Sequence, residues 1–203
     1  MNRGKLFVIS GPSGSGKDAV RSAVMQEKPE LKFSISYTSR PPRNNPIEDA
    51  KYHFVSKHEF EDLIAKNSFL EHAVFCGNYY GTYGPTISNW LSEGNDVLVE
   101  VDVVGQKQIC EKMPEAISIF IMPPSMDTLR TRLNKRNTES EEVISKRLAE
   151  AEREIRCAER YRHIVVNDHL PDAVERVCNI MDGSVTYDPD YNQKILKEVL
   201  QDA

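Results

Sequence analysis

Short apolar runs alternate with helical patterns along the first part of the chain, which predicts an α/β fold. Residues 5–10 form a mostly apolar, β-branched run that ends at a glycine cluster, as a buried parallel strand does. After the glycines, apolar positions between 19 and 24 recur at helical spacing until Pro29. The chain therefore opens with a strand, a loop and a helix.

Further apolar runs extend the predicted sheet. Residues 96–102, 116–121 and 162–167 each contain a nearly continuous hydrophobic stretch, so we expect helices to cover both faces of the sheet. Between residues 33 and 90 the pattern changes to shorter alternating pieces separated by prolines and asparagines. This change predicts a small mixed α/β insertion in a parallel α/β core.

Residues 127–160 are highly charged and carry the spacing of helices. Their apolar side chains form only a narrow stripe, made of Leu129, Leu133, Ile144, Leu148, Ala151 and Ile155. This pattern predicts a helical lid. For the tail after Gly183, the sequence predicts a terminal helix that packs on the surface. The predicted divisions are a core of residues 1–33, 91–126 and 161–203, an inserted subdomain of residues 34–90 and a lid of residues 127–160.

The composition limits the classes of function. With 203 residues, of which 39% are hydrophobic, the chain can bury one ordinary α/β core. The formal net charge of -5 argues against nucleic-acid binding through a broad basic surface, so we expect any anion site to be local. The chain shows no signal-peptide pattern, no membrane-spanning run and no C-x-x-C cysteine pair. We expect a cytoplasmic protein with reduced thiols and no membrane partner.

A glycine-rich segment between the first strand and the first helix matches the phosphate-loop pattern G-x-x-x-x-G-K. Its residues are Gly11, Pro12, Ser13, Gly14, Ser15, Gly16 and Lys17. Glycines allow backbone N–H groups to converge on phosphate oxygens, the helix N-terminus adds partial positive charge, and Lys17 reaches the β- and γ-phosphates. The alternative is a turn that merely joins strand to helix, and Lys17 together with the flanking elements argues against it.

Asp18 follows the phosphate loop at a position where a hydroxyl residue usually ligates Mg²⁺. An aspartate brings a negative charge towards the nucleotide and offers a carboxylate oxygen instead. Asp18 is therefore the candidate protein ligand for a Mg²⁺ ion that is bound together with a nucleoside triphosphate.

Arg40 and Arg43 lie three residues apart on a proline-stiffened loop of the insertion. Two guanidinium groups at this spacing can clamp a second phosphate group in a bidentate manner. Two solvated loop arginines are the alternative interpretation in an acidic protein. Phosphate binding is favoured by the residues that follow in the insertion.

A carboxylate, hydroxyls and tyrosines further along the insertion suit a guanine nucleotide. Guanine presents N1–H and N2–H₂ donors beside the O6 acceptor, so an ionised Glu71 can accept two hydrogen bonds while Ser36 or Thr82 donates to O6. Adenine would place an acceptor nitrogen against the carboxylate, which weakens binding. Tyr52 and Tyr80 are candidates to hold the acceptor's phosphate through their hydroxyls, and packing in the core is the alternative for each.

Glu100 and Asp102 alternate on one face at the end of an apolar strand. A carboxylate in this place can meet metal-bound water or the acceptor base, and ordinary solvation of a strand end is the alternative. Both residues are included among those predicted to face the acceptor nucleotide.

Four motifs occur in order along the chain: SGPSGSGK at residues 10–17, SRPPR at 39–43, GNYYGT at 77–82 and RNTESEE at 136–142. In this combination the sequence resembles the guanylate kinase family over residues 5–181. The resemblance implies a P-loop NTPase-type parallel sheet flanked by helices, with an inserted mixed α/β GMP-binding subdomain and a helical lid. It implies that GMP is held by Ser36, Arg40, Arg43, Tyr52, Glu71, Tyr80, Thr82 and Asp102.

The resemblance also concerns the lid and the donor nucleotide. The family's lid arginines fall on Arg132, Arg136 and Arg147, and a residue of the 166–168 turn, assigned as Asn167, would lie near the adenine of ATP. From charge patterning alone, the lid arginines are equally explained as solvated partners of glutamates at 139, 141 and 142.

The activity implied is in-line transfer of the γ-phosphoryl group from ATP, bound with Mg²⁺, to GMP or dGMP, by a monomer or homodimer. The residues expected to stabilise the migrating charge are Lys17, Arg40, Arg136 and Arg147. A guanylate-kinase-like interaction module, which binds protein partners, is an alternative. Lys17 and the lid arginines argue against it, whereas Asp18 and Ala19 favour it because they replace the family's hydroxyl residues. Another nucleoside monophosphate kinase is the third interpretation.

Overall fold

The computed structural model describes residues 3–134 and 140–201, without the side chains of residues 47 and 48. In chain order its helices and strands are β1 (Leu6–Ser10), α1 (Lys17–Glu27), β2 (Lys32–Phe33), β3 (Ser36–Thr38), α2 (Pro46–Asp49), β4 (Tyr52–Phe54), α3 (Lys57–Ala65), β5 (Phe69–Phe75), β6 (Asn78–Tyr83), α4 (Gly84–Ser92), β7 (Val97–Glu100), α5 (Val103–Lys112), β8 (Ile117–Met122), α6 (Met126–Asn134), α7 (Glu141–Arg156), β9 (His163–Val166), α8 (Leu170–Met181) and α9 (Pro189–Gln201). A 3₁₀ turn over Cys157–Arg160 follows α7.

The chain divides into two compact units, and the division falls within β1. The first unit combines the start of the chain, up to residue 8, with residues 30–116. The second unit combines residues 9–29 with the chain from residue 117 onwards.

One sheet of the first unit has the strand order β2–β7–β1. β2 and β7 pair in parallel, with Lys32 opposite Val97 and Phe33 opposite Leu98. Every residue of β1 is buried, and side chains of β1 and β7 form a core cluster with α4 and α5 through residues such as Ile87, Leu91 and Ile109. Burial of these strands explains their continuous hydrophobic pattern and confirms the predicted parallel sheet.

A second sheet of the first unit has the order β4–β3–β6–β5 and lies within the predicted insertion. β3 pairs in parallel with β4 and antiparallel with β6, while β5 and β6 form an antiparallel hairpin. The hairpin turns at Cys76 and Gly77, which have φ values of 48° and 76°, as hairpin turns of this kind require. α3 begins with a capping box between Ser56 and Glu59. The sheet is mixed, in agreement with the sequence pattern.

In the second unit the strand order is β1–β8–β9, and β8 pairs with β9 in parallel from Ile119 opposite His163 to Met122 opposite Val166. The predicted stripe of the charged segment is buried at all six positions, two on α6 and four on α7. This burial confirms the helical interpretation of the segment, because the stripe spacing places these side chains on one face of each helix.

The terminal helix α9 is fixed to the start of β9 by a buried amide. Asn192 Oδ1 accepts the backbone N–H of Ile164 at 3.1 Å, and Asn192 Nδ2 donates to the carbonyls of Tyr161 at 3.2 Å and Arg162 at 3.3 Å. These hydrogen bonds offset the cost of removing the Asn192 amide from water. The predicted packing of a helix after Gly183 is confirmed.

Within residues 3–134 and 140–201, no helix combines the length and the apolar composition needed to cross a lipid bilayer. The four cysteines all lie in this part of the chain and are free thiols, in agreement with the prediction.

Candidate functional site

The glycine-rich segment forms a loop between β1 and α1 in the second unit. Ser15 N donates to Pro12 O at 3.0 Å and closes a turn. Gly16 has a φ of 84°, and a Cβ atom added there would lie 2.3 Å from Asn167 Nδ2, so a side chain fits neither the backbone conformation nor the space. No described side chain caps α1 at Gly16. The partial positive charge of this helix end therefore remains available to an anion.

Two hydroxyl groups at this loop are buried without a hydrogen-bond partner among the described residues. They belong to Ser10, at the end of β1, and Ser15, within the loop, and both residues are fully buried. Buried polar groups are normally paired, and those that are not commonly mark sites where a ligand or water completes the pairing. The loop is thus suited to receive a phosphate group.

Side chains from α6, α7 and the end of β9 converge on the same loop. Asn167 Nδ2 donates to Ser15 O at 2.8 Å, and Arg132 Nη2 donates to Asn167 O at 2.9 Å. Arg147 Nη2, on α7, donates to Ser13 Oγ at 2.5 Å. The structure therefore brings three of the residues predicted for the donor nucleotide to the phosphate loop. Arg136, the third of the predicted lid arginines, lies outside the residues that the structure describes.

Lys17 and Asp18 begin α1 beside the loop. Lys17 Nζ lies 3.8 Å from Asp18 Oδ1, and the Lys17 side chain is 19% exposed whereas that of Asp18 is 67% exposed. In the described part of the chain, no group of three or more His, Cys, Asp or Glu side chains could hold a metal ion. A single accessible carboxylate beside a phosphate loop nevertheless fits Mg²⁺, which commonly takes one or two carboxylates together with substrate phosphates and water.

A cavity of about 570 Å³ lies in the first unit, a volume in the range of small-molecule sites. Its lining includes eight of the nine side chains predicted to face the acceptor nucleotide, all except Thr82. The lining also contains residues that sequence reasoning missed: Lys51, Ala73, Phe75, Gly81 and Val101. Ala73 and Phe75 lie on β5 and Gly81 lies on β6, so strand pairing in the insertion places these three at the cavity. Gly81 belongs to the GNYYGT motif, whereas the other four residues lie outside the four motifs.

Glu71 is the buried carboxyl of this cavity, with 7% of its surface exposed. Thr82 Oγ1 donates to Glu71 Oε1 at 2.6 Å, so the Thr82 hydroxyl is directed at Glu71 and does not line the cavity. Burial, together with the smaller effect of the nearby Asp102 charge, raises the pKa of Glu71 to about 7, although the Thr82 hydrogen bond lowers it. The carboxyl is therefore poised between its protonated and ionised forms near neutral pH.

Asp102 and Gly105 shape the surroundings of Glu71. Asp102 Oδ1 caps α5 by accepting the N–H groups of Val104 at 2.9 Å and Gly105 at 2.7 Å. A Cβ atom added at Gly105 would lie 3.2 Å from Glu71 Oε2 and 3.1 Å from Val101 Cβ. Glycine at this position leaves room for the carboxyl, a role that the sequence pattern did not reveal.

Arg40 is buried among aromatic rings, with 7% of its surface exposed. Its Cζ lies 5.3 Å from the ring centroids of both Tyr52 and Phe54, within cation–π range. The Tyr52 and Tyr80 rings meet edge to face at 5.9 Å, and burial, with the neighbouring Tyr80, raises the pKa of Tyr52. Tyr52 therefore keeps its proton as a donor at neutral pH. The alternative of a solvated arginine is excluded for Arg40, whereas Arg43 is exposed.

The sequence is similar to a known enzyme family over most of its length. A sequence profile described as Guanylate kinase matches residues 3–184. The chain belongs to the guanylate kinase family. Among curated relatives named Guanylate kinase, that of Desulfitobacterium hafniense (strain Y51) is 43% identical over 180 residues, which cover 89% of this chain and 90% of the relative. That of Neisseria meningitidis serogroup A is 44% identical over 181 residues, which cover 89% of this chain and 88% of the relative.

A solved structure agrees with this membership of the guanylate kinase family. The crystal structure of guanylate kinase from Anaplasma phagocytophilum matches with a TM-score of 0.70 and 30% sequence identity, covering 90% of this chain and 87% of that one. The P-loop α/β fold implied by the sequence resemblance is therefore confirmed. The profile match ends at residue 184, so α9 lies beyond the residues that it covers.

Proposed function

We propose that this guanylate kinase family member transfers the γ-phosphoryl group of ATP to GMP, and to dGMP, forming ADP and GDP or dGDP. One observation carries the proposal: the cavity of the first unit combines the buried Glu71 carboxyl with Arg40 and two tyrosines. This combination matches the needs of a guanine base and a phosphate group on one ligand.

In the proposed complex, Glu71 accepts hydrogen bonds from guanine N1–H and N2–H₂. Thr82 already donates to Glu71, which favours Ser36 as the donor to guanine O6. Glu100 and Asp102 line the same cavity and complete its acidic side. Adenine presents an acceptor nitrogen in place of N1–H, so Thr82 would remain a donor to the buried carboxylate but the N1 position of the base would oppose it.

The phosphate of GMP is assigned to Arg40, Arg43, Tyr52 and Tyr80. Arg40 is held among rings before the ligand arrives, and its planar guanidinium suits bidentate contact with phosphate oxygens. The tyrosines donate through their hydroxyls. We therefore take residues 34–90 to be the GMP-binding subdomain.

ATP is assigned to the phosphate loop of residues 11–17, with Lys17 on the β- and γ-phosphates and Asn167 near the adenine. Arg132 holds the Asn167 carbonyl and Arg147 reaches Ser13 of the loop, which supports a lid of residues 127–160 that acts on the triphosphate. Phosphoryl transfer needs positioning and charge stabilisation more than covalent chemistry, so we assign no nucleophilic side chain. An oxygen of the GMP phosphate attacks in line.

Asp18 would hold Mg²⁺ together with bound ATP, and the ion would neutralise part of the triphosphate charge. The chain itself contributes Lys17 and the lid arginines, which stabilise charge on the migrating phosphoryl oxygens. We further propose a cytoplasmic location and a monomer or homodimer.

The affinity for guanine should rise with pH up to about pH 7 and then level off. Burial raises the pKa of Glu71 to about 7 in the free protein, and guanine's two donors require the ionised form. Below that pKa, each unit by which the pH falls should weaken guanine binding about tenfold, because Glu71 must lose its proton before the base binds. Guanosine is the ligand to use in calorimetry, since the phosphate of GMP itself titrates near pH ~6. A guanosine affinity that is constant across this range would contradict the role given to Glu71.

The function is tested by coupling ADP release to a panel of acceptors. GMP and dGMP should support ADP release, and AMP and UMP should do so at least about a thousandfold less well, as expected for a site built to hydrogen-bond one base. Binding of GMP without ADP release for any acceptor would favour the interaction-module alternative. Equal use of AMP or UMP would favour another nucleoside monophosphate kinase.

A further inference from the structure

Asp49, the last residue of α2, closes the loop that carries both arginines of the acceptor site. Its Oδ1 accepts the backbone N–H of Arg43 at 3.1 Å, and its Oδ2 accepts that of Asn45 at 3.2 Å. Between these two N–H groups, Asn44 adopts a φ of 58°, so the carboxylate spans a tight left-handed turn. The backbone that leads into and out of this turn is thereby fixed.

The same carboxylate reaches a guanidinium group. Asp49 Oδ1 lies 3.6 Å from Arg40 Nη2, with the two side chains 17% and 8% exposed. Arg40 Nη1 donates to Pro41 O at 2.9 Å, and the rings of Tyr52 and Phe54 cover the guanidinium. Asp49 thus adds an ionic contact to a side chain that is otherwise placed by a carbonyl and two rings.

We propose that Asp49 is a positioning residue that orders Arg40 and the Arg43 loop for the acceptor phosphate before GMP binds. This inference rests on the proposed function of the cavity. Asp49 itself is assigned no contact with the substrate, and it acts through the two arginines.

Two effects of this carboxylate on GMP binding have opposite signs. Its negative charge weakens the attraction of the arginines for a phosphate group, whereas ordering the arginines in advance spares GMP the entropic cost of ordering them. We infer that ordering is the larger effect, because Asp49 holds two backbone N–H groups as well as the Arg40 side chain. A loop without these contacts would have to be ordered by each GMP molecule that binds.

The test compares GMP with guanosine in the variant Asp49→Asn. Asparagine keeps the shape, but it lacks the charge and its NH₂ group cannot accept the second N–H. The dissociation constant of GMP should rise about tenfold while that of guanosine changes less than about twofold, because the preordered groups face only the phosphate. Asp49→Glu, which restores both carboxylate acceptors for the two backbone N–H groups, should recover most of the GMP affinity. Calorimetry with the full chain measures all of these constants.

Asp62→Asn is the matched control, since Asp62 is a 55% exposed carboxylate on α3 that pairs with His58. It should leave both affinities unchanged. Equal weakening of GMP and guanosine in Asp49→Asn would mean general damage to the subdomain and would overturn the inference. Unchanged or tighter GMP binding would overturn it too, because the Asp49 carboxylate would then have no effect on phosphate binding or would weaken it. A wild-type chain that binds guanosine and GMP equally, or neither, would instead refute the proposed function.

Discussion

Replacing Glu71 with glutamine should lower kcat/KM for GMP by about two to three orders of magnitude, while the affinity for ATP stays unchanged. Glu71 is buried in the acceptor cavity at 7% exposure, and an ionised carboxylate offers acceptors to both N1–H and N2–H₂ of guanine. Glutamine has nearly the same volume but replaces one acceptor by an NH₂ group, which opposes a guanine donor. Each hydrogen bond to a charged group contributes about 1.5–3 kcal/mol, so losing one such bond and placing a second donor against the unpaired guanine donor accounts for the expected decrease.

Steady-state kinetics with GMP varied, together with calorimetric titration of ATP, checks the Glu71→Gln prediction. Glu61→Gln is the matched control, because Glu61 lies on α3, is 47% exposed and accepts a hydrogen bond from Tyr79. That variant should retain wild-type kinetics for GMP. If Glu71→Gln retained them as well, base recognition would have to reside elsewhere in the cavity.

Replacing Lys17 with alanine should lower kcat by about a thousandfold at saturating ATP and GMP, because the charge that develops on the phosphoryl oxygens loses a preorganised cation. The Lys17 side chain is 19% exposed beside the phosphate loop, so its charge is weakly screened compared with a solvated lysine. GMP affinity should be unchanged, because Lys17 is assigned to the donor nucleotide. Single-turnover measurements of product formation isolate the chemical step.

Lys146→Ala is the matched control for the phosphate-loop lysine. Lys146 is 74% exposed on α7 and pairs with Glu142 at 2.7 Å, so removing it should change kcat less than about twofold, as exposed pairs contribute little. A Lys17→Ala variant that turned over at the rate of Lys146→Ala would contradict phosphoryl transfer on the glycine-rich loop.

Most of the parallel sheet followed from the sequence because β1, β7, β8 and β9 are buried on both faces. Residues 5–10, 96–102, 116–121 and 162–167 could be recognised as strands since helices cover the sheet and leave no polar alternation. The helices of the charged segment could also be predicted from the sequence, because a helix that buries one face must repeat its apolar residues at helical spacing. Both kinds of pattern are local in the chain.

The candidate site was predictable where a motif fixes the local backbone, as in the phosphate loop and the SRPPR segment. The contacts that adjust the site join residues far apart in the chain, and no local motif in the sequence indicates them. The Thr82 hydroxyl donates to Glu71, and Arg147 donates to Ser13, which lies 134 positions earlier in the chain. Gly105 leaves space for the Glu71 carboxyl. Helix spacing alone would have paired Arg147 with Glu150, three positions further along the helix, since it encodes only contacts between residues three or four positions apart.

Asp49 illustrates the same limit within a single loop. In the sequence it follows another acidic residue in a polar segment, which is the pattern of a solvated surface. Its contacts with two backbone N–H groups and Arg40 depend on the left-handed turn at Asn44. The catalytic and positioning roles of these residues remain predictions for the variants described above.

Phosphorus NMR of the purified chain mixed with ATP, Mg²⁺ and GMP identifies both products of phosphoryl transfer in one experiment. We expect ADP and GDP to appear in equal amounts and ATP to persist when GMP is omitted. ADP without GDP would mean hydrolysis, and unchanged ATP and GMP would mean no transfer. Either result would contradict the assignment of ATP to the phosphate loop and GMP to the cavity around Glu71.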